Sequence, residues 1–128
     1  MTRLIIILFL LPFYCLAQTA DKYIQAGNEK GNRKDYKGAI ADFTKAVRLN
    51  DKASKAYFYR ANAEGNINDH SAAIADYSRT SELDPNNTNA WFYRANAKNS
   101  IKDSKGAIAD FDKGICMNSR NADMYHYR

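Results

Sequence analysis

The sequence predicts an all-α solenoid of helix–turn–helix hairpins, and three observations support this fold class. Residues 57–63 read YFYRANA, and residues 91–97 read WFYRANA, 34 positions later. Residues 73–77 (AIADY) return as residues 107–111 (AIADF) at the same spacing. Within each unit, small and apolar residues follow one another at intervals of three or four, which is the periodicity of a helix. Such a repeat indicates stacked hairpins that together bury a continuous core.

The first 17 residues are predicted to be a secretory signal peptide. Arg3 provides a positive charge, residues 4–17 are almost entirely apolar, and the small Ala17 precedes the polar Gln18, where we expect cleavage. The apolar run is shorter than the roughly 20 residues that span a bilayer. Three alternatives are a buried N-terminal helix, a lipoprotein anchor at Cys15 and an uncleaved anchor. The signal looks bacterial, so we expect an exported chain, periplasmic or secreted, with no membrane span after cleavage.

The charge pattern argues against a nucleic-acid partner, and the cysteine count argues against an internal disulfide. Loss of Arg3 lowers the formal net charge from +5 to +4, and the basic residues alternate with Asp and Glu along the chain. This pattern indicates a solvated surface rather than a nucleic-acid footprint, so no nucleic-acid partner is expected. Cleavage also leaves Cys116 as the sole cysteine, which excludes an internal disulfide. We expect Cys116 to be a small core residue, with intermolecular pairing as the alternative.

The helices are assigned in order along the chain. Polar turns centred on Asp35, Asp69 and Asp103 separate the two helices of each unit, and Pro85 ends the second helix of the middle unit. These signals divide the chain into three repeats, 20–53, 54–87 and 88–121, and a partial fourth, 122–128. The predicted helices are 20–33, 37–49, 54–67, 71–83, 88–101 and 105–117, followed by a half-helix that starts at 122.

Small and large residues recur at fixed positions of these helices. Small residues allow two helix axes to approach closely, and aromatic rings are expected to fill the space between hairpins. The small residues are Gly27, Ala61 and Ala95 in the first helices and Ala39, Ala73 and Ala107 in the second. The rings are Tyr57, Trp91 and Tyr125 in the first helices and Phe43, Tyr77 and Phe111 in the second.

At these residues the chain resembles the tetratricopeptide repeat family. That family has a 34-residue unit with a leading aromatic residue, a following Gly or Ala, an Ala early in the second helix, a ring four residues later and a terminal Pro. The middle unit matches throughout, whereas Asp51 and Ser119 stand where Pro is expected, and Gly114 replaces the usual Ala. The resemblance implies a right-handed solenoid that binds proteins or peptides and acts as a scaffold or adaptor.

The resemblance also implies a concave peptide-binding groove lined by the first helices. A ladder of Asn side chains can hold a peptide backbone without demanding one sequence, because each amide both donates and accepts hydrogen bonds. The alternative is that these Asn residues fill a solvated groove or bond to neighbouring helices. The inward positions are Ile24, Asn28, Asn32, Lys55, Phe58, Asn62, Asn66, Asn89, Phe92, Asn96 and Ser100.

Some members of the family clamp a C-terminal carboxylate with Lys, Arg and Asn side chains. Of the five corresponding positions in this sequence, only Asn28 matches. The other four are Ile24, Tyr59, Asn89 and Tyr93. We therefore expect no clamp for a carboxylate tail.

A second periodic pattern is charged and is predicted to be structural. Arg60, Arg94 and Arg128 recur in the first helices, while Asp42, Asp76 and Asp110 recur in the second. Pairing each Arg with the Asp of the preceding hairpin leaves none unmatched, which predicts bidentate inter-repeat salt bridges. The predicted pairs are Arg60 with Asp42, Arg94 with Asp76 and Arg128 with Asp110. The alternative is an exposed Arg row that binds anions.

No pattern in the sequence supports catalysis, a metal or another cofactor. His70 and His126 have no Cys or carboxylate at ligand spacing, and there is no phosphate-binding loop. The predicted function is therefore protein or peptide binding, not an enzymatic reaction. Because the third unit is followed by only seven residues, two alternatives stay open. The uncapped end could support homo-oligomerisation in an envelope assembly, or the chain could be a fragment of a longer array.

Overall fold

The computed structural model describes the backbone of residues 2–126 and the side chains of residues 11–120. Over this range the chain forms six α-helices and no strand, which confirms the all-α prediction. The helices are α1 (Thr2–Asn32), α2 (Tyr36–Leu49), α3 (Ser54–Asn66), α4 (His70–Leu83), α5 (Thr88–Ser100) and α6 (Ser104–His126).

The helices pack as three consecutive hairpins. Helix α1 pairs with α2, α3 with α4, and α5 with α6, while contacts of α2 with α3 and of α4 with α5 join one hairpin to the next. Each helix therefore packs mainly against its neighbours in sequence, as expected for a stacked array.

The turn inside each hairpin has the same geometry three times. Lys34, Asn68 and Lys102 adopt left-handed backbone conformations with φ of 63°, 63° and 65°. The Asp that follows each of them accepts a hydrogen bond through Oδ1 from the backbone N–H three residues later. This side-chain cap fixes the start of the second helix at residues 36, 70 and 104, one residue earlier than predicted.

The first and last helices are longer than predicted. Helix α1 starts at Thr2 rather than at residue 20, and the side chains of Leu11, Phe13, Tyr14 and Leu16 project from it largely exposed. The half-helix predicted to start at 122 is wrong as a separate element, because α6 continues to His126. Ser119 occupies the register of Pro85, so no proline ring disfavours helix at residue 118. Among the described residues, no helix is long and apolar enough to cross a membrane.

Small residues form most of the core. All six predicted small positions are buried, and Phe43 and Tyr77 are buried beside them. The approach is closest at Gly27, where an added Cβ would lie 2.6 Å from a ring carbon of Phe43. Cys116 is exposed, so its prediction as a core residue is wrong. It lies on α6, on a side that no described element covers.

Replacing Lys102 with Gly should stabilise the fold. A non-glycine residue in the left-handed region costs about 1–2 kcal/mol, and Gly avoids this cost while losing about 0.5–1 kcal/mol of unfolded-state entropy. Lys102→Gly should therefore raise the free energy of unfolding by about 0.5–1 kcal/mol in urea denaturation. The matched variant Asn68→Gly should gain less, because Asn tolerates this conformation. A loss of stability in Lys102→Gly would contradict this interpretation of the turn.

Candidate functional site

The repeated Arg and Asp residues pair within hairpins. Arg60 donates through Nε and Nη2 to the two carboxylate oxygens of Asp76, at 2.6 and 2.9 Å. Arg94 binds Asp110 in the same bidentate way, at 2.8 and 2.7 Å. The predicted pairs Arg60–Asp42 and Arg94–Asp76 are therefore wrong. The third predicted pair, of Arg128 with Asp110, involves a residue outside the described part of the chain.

Asp42 does not need an arginine from the next hairpin, because it has another partner. Lys30 Nζ lies 2.7 Å from Asp42 Oδ2, so pairing within hairpins does not leave this carboxylate without a cation. The arginines still connect hairpins, but through hydroxyl groups. Arg60 Nη1 donates to Thr44 Oγ1 at 3.2 Å, and the same atom of Arg94 donates to Ser78 Oγ at 3.0 Å.

The arginines are largely enclosed by these contacts. The side chains of Arg60 and Arg94 are 17% and 13% exposed, and their guanidinium groups lie over the rings of Tyr57 and Trp91. Each guanidinium is already shared between a carboxylate, a hydroxyl and a ring. This arrangement gives no support to an exposed Arg row that binds anions.

The middle hairpin departs from its neighbours at one charged position. Lys30 and Lys98 bind Asp42 and Asp110, whereas the same register of the middle hairpin holds Glu64. Glu64 is buried, its Oε1 lies 3.8 Å from Arg60 Nε, and its Oε2 has no hydrogen-bond partner. Burial, together with the nearby carboxylate of Asp76, raises the pKa of Glu64 to about 8.

The third hairpin shows the opposite balance. Burial alone would raise the pKa of Asp110, but hydrogen bonds from Arg94 and Lys98 outweigh it and lower the pKa. Two cations thus serve one carboxylate in the third hairpin, whereas one cation lies between two carboxyl groups in the middle hairpin.

A groove runs along the side of the array formed by the first helices and the turns. One hollow, of about 470 Å³, lies between the first and second hairpins. A smaller hollow of about 160 Å³ lies between the second and third hairpins. The polar and aromatic side chains that line the two hollows are Asn28, Asn32, Tyr36, Phe43, Tyr59, Asn62, Asn66, His70, Tyr77, Tyr93, Asn96 and Ser100.

This groove carries almost no charge. Tyrosine and asparagine account for most of its polar lining, and His70 is the sole imidazole among the described lining residues. Within the described range, no Lys, Arg, Asp or Glu contributes to the lining of these hollows, and no group of His, Cys, Asp and Glu could hold a metal ion. The groove therefore suits a ligand with uncharged hydrogen-bonding groups and apolar surface.

Several predicted groove residues line these hollows. The structure places Asn28, Asn32, Asn62 and Asn66 in the larger hollow and Asn96 and Ser100 in the smaller one.

The other predicted positions lie elsewhere. Ile24 is buried in the core, and Lys55 and Asn89 are exposed outside the lining. Phe58 is packed among the rings of Tyr59, Tyr77 and Tyr93. Phe92 packs against Phe111, in contact with Gly114.

The rings that line the groove are the tyrosines next to those phenylalanines. Tyr59 lies three residues before Asn62 and seven before Asn66, so all three share a helix face. Tyr93, Asn96 and Ser100 repeat this spacing in α5. The spacing could have identified Tyr59 and Tyr93 from the sequence, since Phe58 and Phe92 are turned by about 100° from that face.

One groove asparagine is held from the second helix of its hairpin. Tyr77 Oη donates to Asn62 Oδ1 at 2.6 Å, and Asn66 Nδ2 donates to the backbone carbonyl of Asn62 at 2.8 Å. The hydroxyl of Tyr77 keeps its proton, because burial raises the pKa of Tyr77 well above its usual range. The alternative role for the groove asparagines was a hydrogen bond to a neighbouring helix. The carbonyl oxygen of the Asn62 side chain has this role, because it accepts from Tyr77 on α4.

Comparison with known proteins shows that the arrangement of helical hairpins resembles the tetratricopeptide repeat fold. Residues 20–52 match a family model described as a tetratricopeptide repeat. The crystal structure of MamA is similar with a TM-score of 0.80 and 21% identity, over 82% of this chain and 61% of that chain. The chain therefore spans less than two thirds of the MamA structure. No curated protein sequence matches significantly.

Two similar solved structures contain peptide or protein ligands. The first TPR of Spaghetti (RPAP3), bound to the HSP90 peptide SRMEEVD, has a TM-score of 0.76 and 21% identity, over 79% of this chain and 80% of that chain. The TPR2B domain of yeast Sti1, in a complex with pHsp70, has a TM-score of 0.76 and 23% identity, over 86% of this chain and 94% of that chain. At these identities the likeness establishes the tetratricopeptide fold alone.

Removing Arg60 should cost more stability than removing Arg94. Arg60→Ala leaves Asp76 facing Glu64 with no cation, and an unpaired buried charge costs about 3–5 kcal/mol. Arg94→Ala leaves Asp110 paired with Lys98 at 2.9 Å, so we expect a loss of about 1–2 kcal/mol. Urea unfolding at pH 7 measures both. Both arginines also lose a ring contact and a hydroxyl contact, so equal losses would contradict the role given to Lys98 and Glu64.

Replacing Glu64 with Gln should change how stability depends on pH. The pKa of Glu64 is about 8 in the folded chain and 4.5 for an unperturbed glutamate, so the folded state binds an extra proton between these two pH values. Stability contributed by this proton is present at low pH and is lost as pH rises from 4.5 to 8. Glu64→Gln should lie within about 1 kcal/mol of the parent at pH 5 and exceed it by about 4 kcal/mol at pH 8.5. If the free energy of unfolding in urea changed with pH in the same way for both proteins, the raised pKa of Glu64 would be ruled out.

Proposed function

Residues 20–52 form a tetratricopeptide repeat within an array of that fold, and from this premise we propose that the chain is a protein-interaction scaffold. It holds an extended, uncharged segment of a partner protein in the groove and does not catalyse a reaction on it. The observation that carries the proposal is the groove lining, which combines tyrosine rings with asparagine amides and lacks charged side chains.

The chemistry of these side chains suits a polypeptide without strong sequence demands. Asparagine amides can donate to backbone carbonyls and accept from backbone N–H groups. Tyr59 and Tyr93 offer flat apolar surface with a polar edge, which favours apolar or proline-containing segments. Structures with bound peptides among the similar folds add support for protein binding as the class of function.

An acidic tail does not fit this groove. The HSP90 peptide SRMEEVD in the Spaghetti structure carries three acidic side chains and a terminal carboxylate. In the present chain Ile24 is buried, and Tyr59 and Tyr93 occupy two further positions where a carboxylate clamp has Asn, Lys or Arg side chains. A charged ligand would lose hydration without gaining an opposite charge. We therefore propose a partner segment that is internal and uncharged.

We also propose that the array acts after export, with residues 1–17 removed. Support comes from the side chains of residues 11–16, which are apolar and largely exposed, while the buried core starts at Ala20. Removal of these residues would leave the three hairpins intact. Intact-mass measurement of the chain recovered from a bacterial periplasm tests this, and a mass that begins at Met1 would contradict cleavage.

A second candidate function is self-association through α6. Ile108 and Ile115 are 60% and 57% exposed, whereas their register equivalents Ile40, Ile74 and Val47 are half-buried under the next hairpin. We propose that a second copy covers this face in an envelope assembly. Sedimentation equilibrium should then show a mass that rises with concentration for the mature chain and a monomer for Ile108→Asp. Ile67→Asp, exposed in a turn, is the matched control, and a concentration-independent monomer would contradict this candidate.

The groove is tested with a library of capped heptapeptides that includes uncharged, acidic and basic sequences. We expect the mature chain to enrich uncharged peptides. Asn32→Ala combined with Asn66→Ala should weaken the best of them by roughly tenfold or more, since each lost hydrogen bond contributes about 1 kcal/mol. Both residues are exposed, so the fold should be retained.

The control for this experiment combines Asn86→Ala with Asn99→Ala. These two asparagines are also exposed but lie outside the groove lining. Equal affinity of both double variants for the best peptide, or enrichment of acidic peptides, would contradict the proposed function.

A further inference from the structure

We propose that Tyr77 is a positioning residue that fixes the amide of Asn62 as a hydrogen-bond donor, so that the centre of the groove recognises a main-chain carbonyl of the bound segment. This inference rests on the proposed function and specifies which ligand group the site recognises. It gives the groove a fixed point from which the rest of the segment is aligned.

The direction of the Asn62 amide follows from its contact with Tyr77. The two atoms are 2.6 Å apart, which fits an O–H···O hydrogen bond better than an N–H···O bond, whose usual separation is about 2.9–3.0 Å. Tyr77 is buried in one cluster with Ala61 and Ala73 and stacks against Tyr93, so its ring has little freedom to turn away. Its hydroxyl is therefore a stationary donor, and Asn62 Oδ1 is the acceptor.

Fixing Oδ1 leaves Nδ2 as the group available to a ligand. Within the described part of the chain, Asn62 Nδ2 makes no hydrogen bond, and Asn62 is only half-buried. Asn62 lines the larger hollow and also a shallow depression that is bordered by Tyr77 and Tyr93, so it lies where the two halves of the groove meet. An NH₂ group can donate but cannot accept, and the ligand must supply an acceptor at this point.

The other two members of this register lack the same restraint. Asn28 and Asn96 correspond to Asn62 in the first and third hairpins, but the residues corresponding to Tyr77 are Phe43 and Phe111. A phenylalanine ring has no hydroxyl to fix an amide. Asn28 and Asn96 can each turn either way, so they adapt to a donor or an acceptor on the ligand. The groove thus has one fixed donor at its centre and an adaptable amide on each side.

The ligand group that best satisfies this arrangement is a peptide carbonyl. A backbone carbonyl is an uncharged acceptor that recurs along every extended segment, and the uncharged lining offers no partner for an acidic group. We therefore expect strong dependence on a main-chain carbonyl opposite Asn62 and weak dependence on the side chains beside it.

The test uses the best uncharged heptapeptide from the library and isothermal titration of the mature chain. Asn62→Asp keeps an acceptor for Tyr77 but replaces the free donor with a carboxylate oxygen, so affinity should fall by roughly tenfold or more. Tyr77→Phe frees the amide to turn and should weaken binding by roughly threefold. Asn99→Asp adds the same charge outside the groove and should change affinity by less than about twofold.

A second readout separates positioning from general stability. An ester scan replaces each main-chain amide of the heptapeptide in turn, which weakens the carbonyl as an acceptor. At one position the ester and Asn62→Asp should be non-additive, because both remove the same hydrogen bond. Restoring that amide should restore the full effect of Asn62→Asp.

The outcomes distinguish this inference from the proposed function. If Asn62→Asp and Tyr77→Phe bind the heptapeptide as tightly as the parent, while the Asn32 and Asn66 double variant does not, the inference is wrong and the groove still binds peptide. Additivity at every ester position also overturns the inference. If no peptide is enriched, the proposed function fails, and the inference fails with it.

Discussion

Close contact between helices at residues with very small side chains determines the rest of this structure. Ala39, Ala61, Ala73 and Ala95 are fully buried, and Thr80 is the largest fully buried side chain among residues 11–120. Because the helices touch at these points, rings cannot lie there. Phe43 packs over Gly27, and Tyr59, Tyr77 and Tyr93 stack beside the contacts, which brings their edges to one side of the array. The groove is thus a consequence of how the core is packed.

The charged groups add a second set of contacts to this packing. Each bidentate Arg–Asp pair joins the two helices of its hairpin, and a hydroxyl joins the same arginine to the hairpin before it. The first hairpin has Ala26 in place of the arginine and uses Lys30 with Asp42 instead. We infer that alanine packing forms the array and that the ion pairs fix the relative placement of its helices.

The sequence predicted those features that depend on local periodicity. Helix positions inside the array agree with the structure to within one residue, apart from the two terminal extensions, because caps and turns recur with the repeat. The choice of partner for each Asp could not be predicted, since both pairings follow the same 34-residue register and differ only in distances across helices. Lys30 pairs with Asp42 and so makes pairing within hairpins possible in the first unit. Its equivalent in the next unit is Glu64, so this role is not evident from the repeat.

The residues that line the groove could likewise be predicted only in part from the sequence. Asn28, Asn32, Asn62, Asn66 and Asn96 were expected in the groove and line it, whereas Phe58 and Phe92 turned out to be packed among other rings. Phe58 and Tyr59 are adjacent, so they point to sides of the helix that differ by about 100°. A resemblance to a family does not tell which of the two faces the groove. Cys116 and the end of α6 were assigned wrongly because both assignments extended the repeat to a helix that no further described hairpin covers.

The middle hairpin differs from both of its neighbours at two positions that matter for its chemistry. Glu64 stands where its neighbours have lysine, and Tyr77 stands where they have phenylalanine. The first departure leaves a buried carboxyl group next to Asp76, and the second fixes the amide at the centre of the groove. Both lie on helices α3 and α4, so the centre of the array differs chemically from its two ends.

Mapping a bound heptapeptide onto the chain by NMR will show whether an uncharged polypeptide lies along the tyrosine–asparagine groove. We expect intermolecular contacts from the peptide to Tyr59 and Tyr93 and a shifted side-chain NH₂ signal for Asn62, with the α6 signals of Ile108 and Ile115 unchanged. Contacts confined to α6 or to the opposite side of the array would show that the groove is not the binding site.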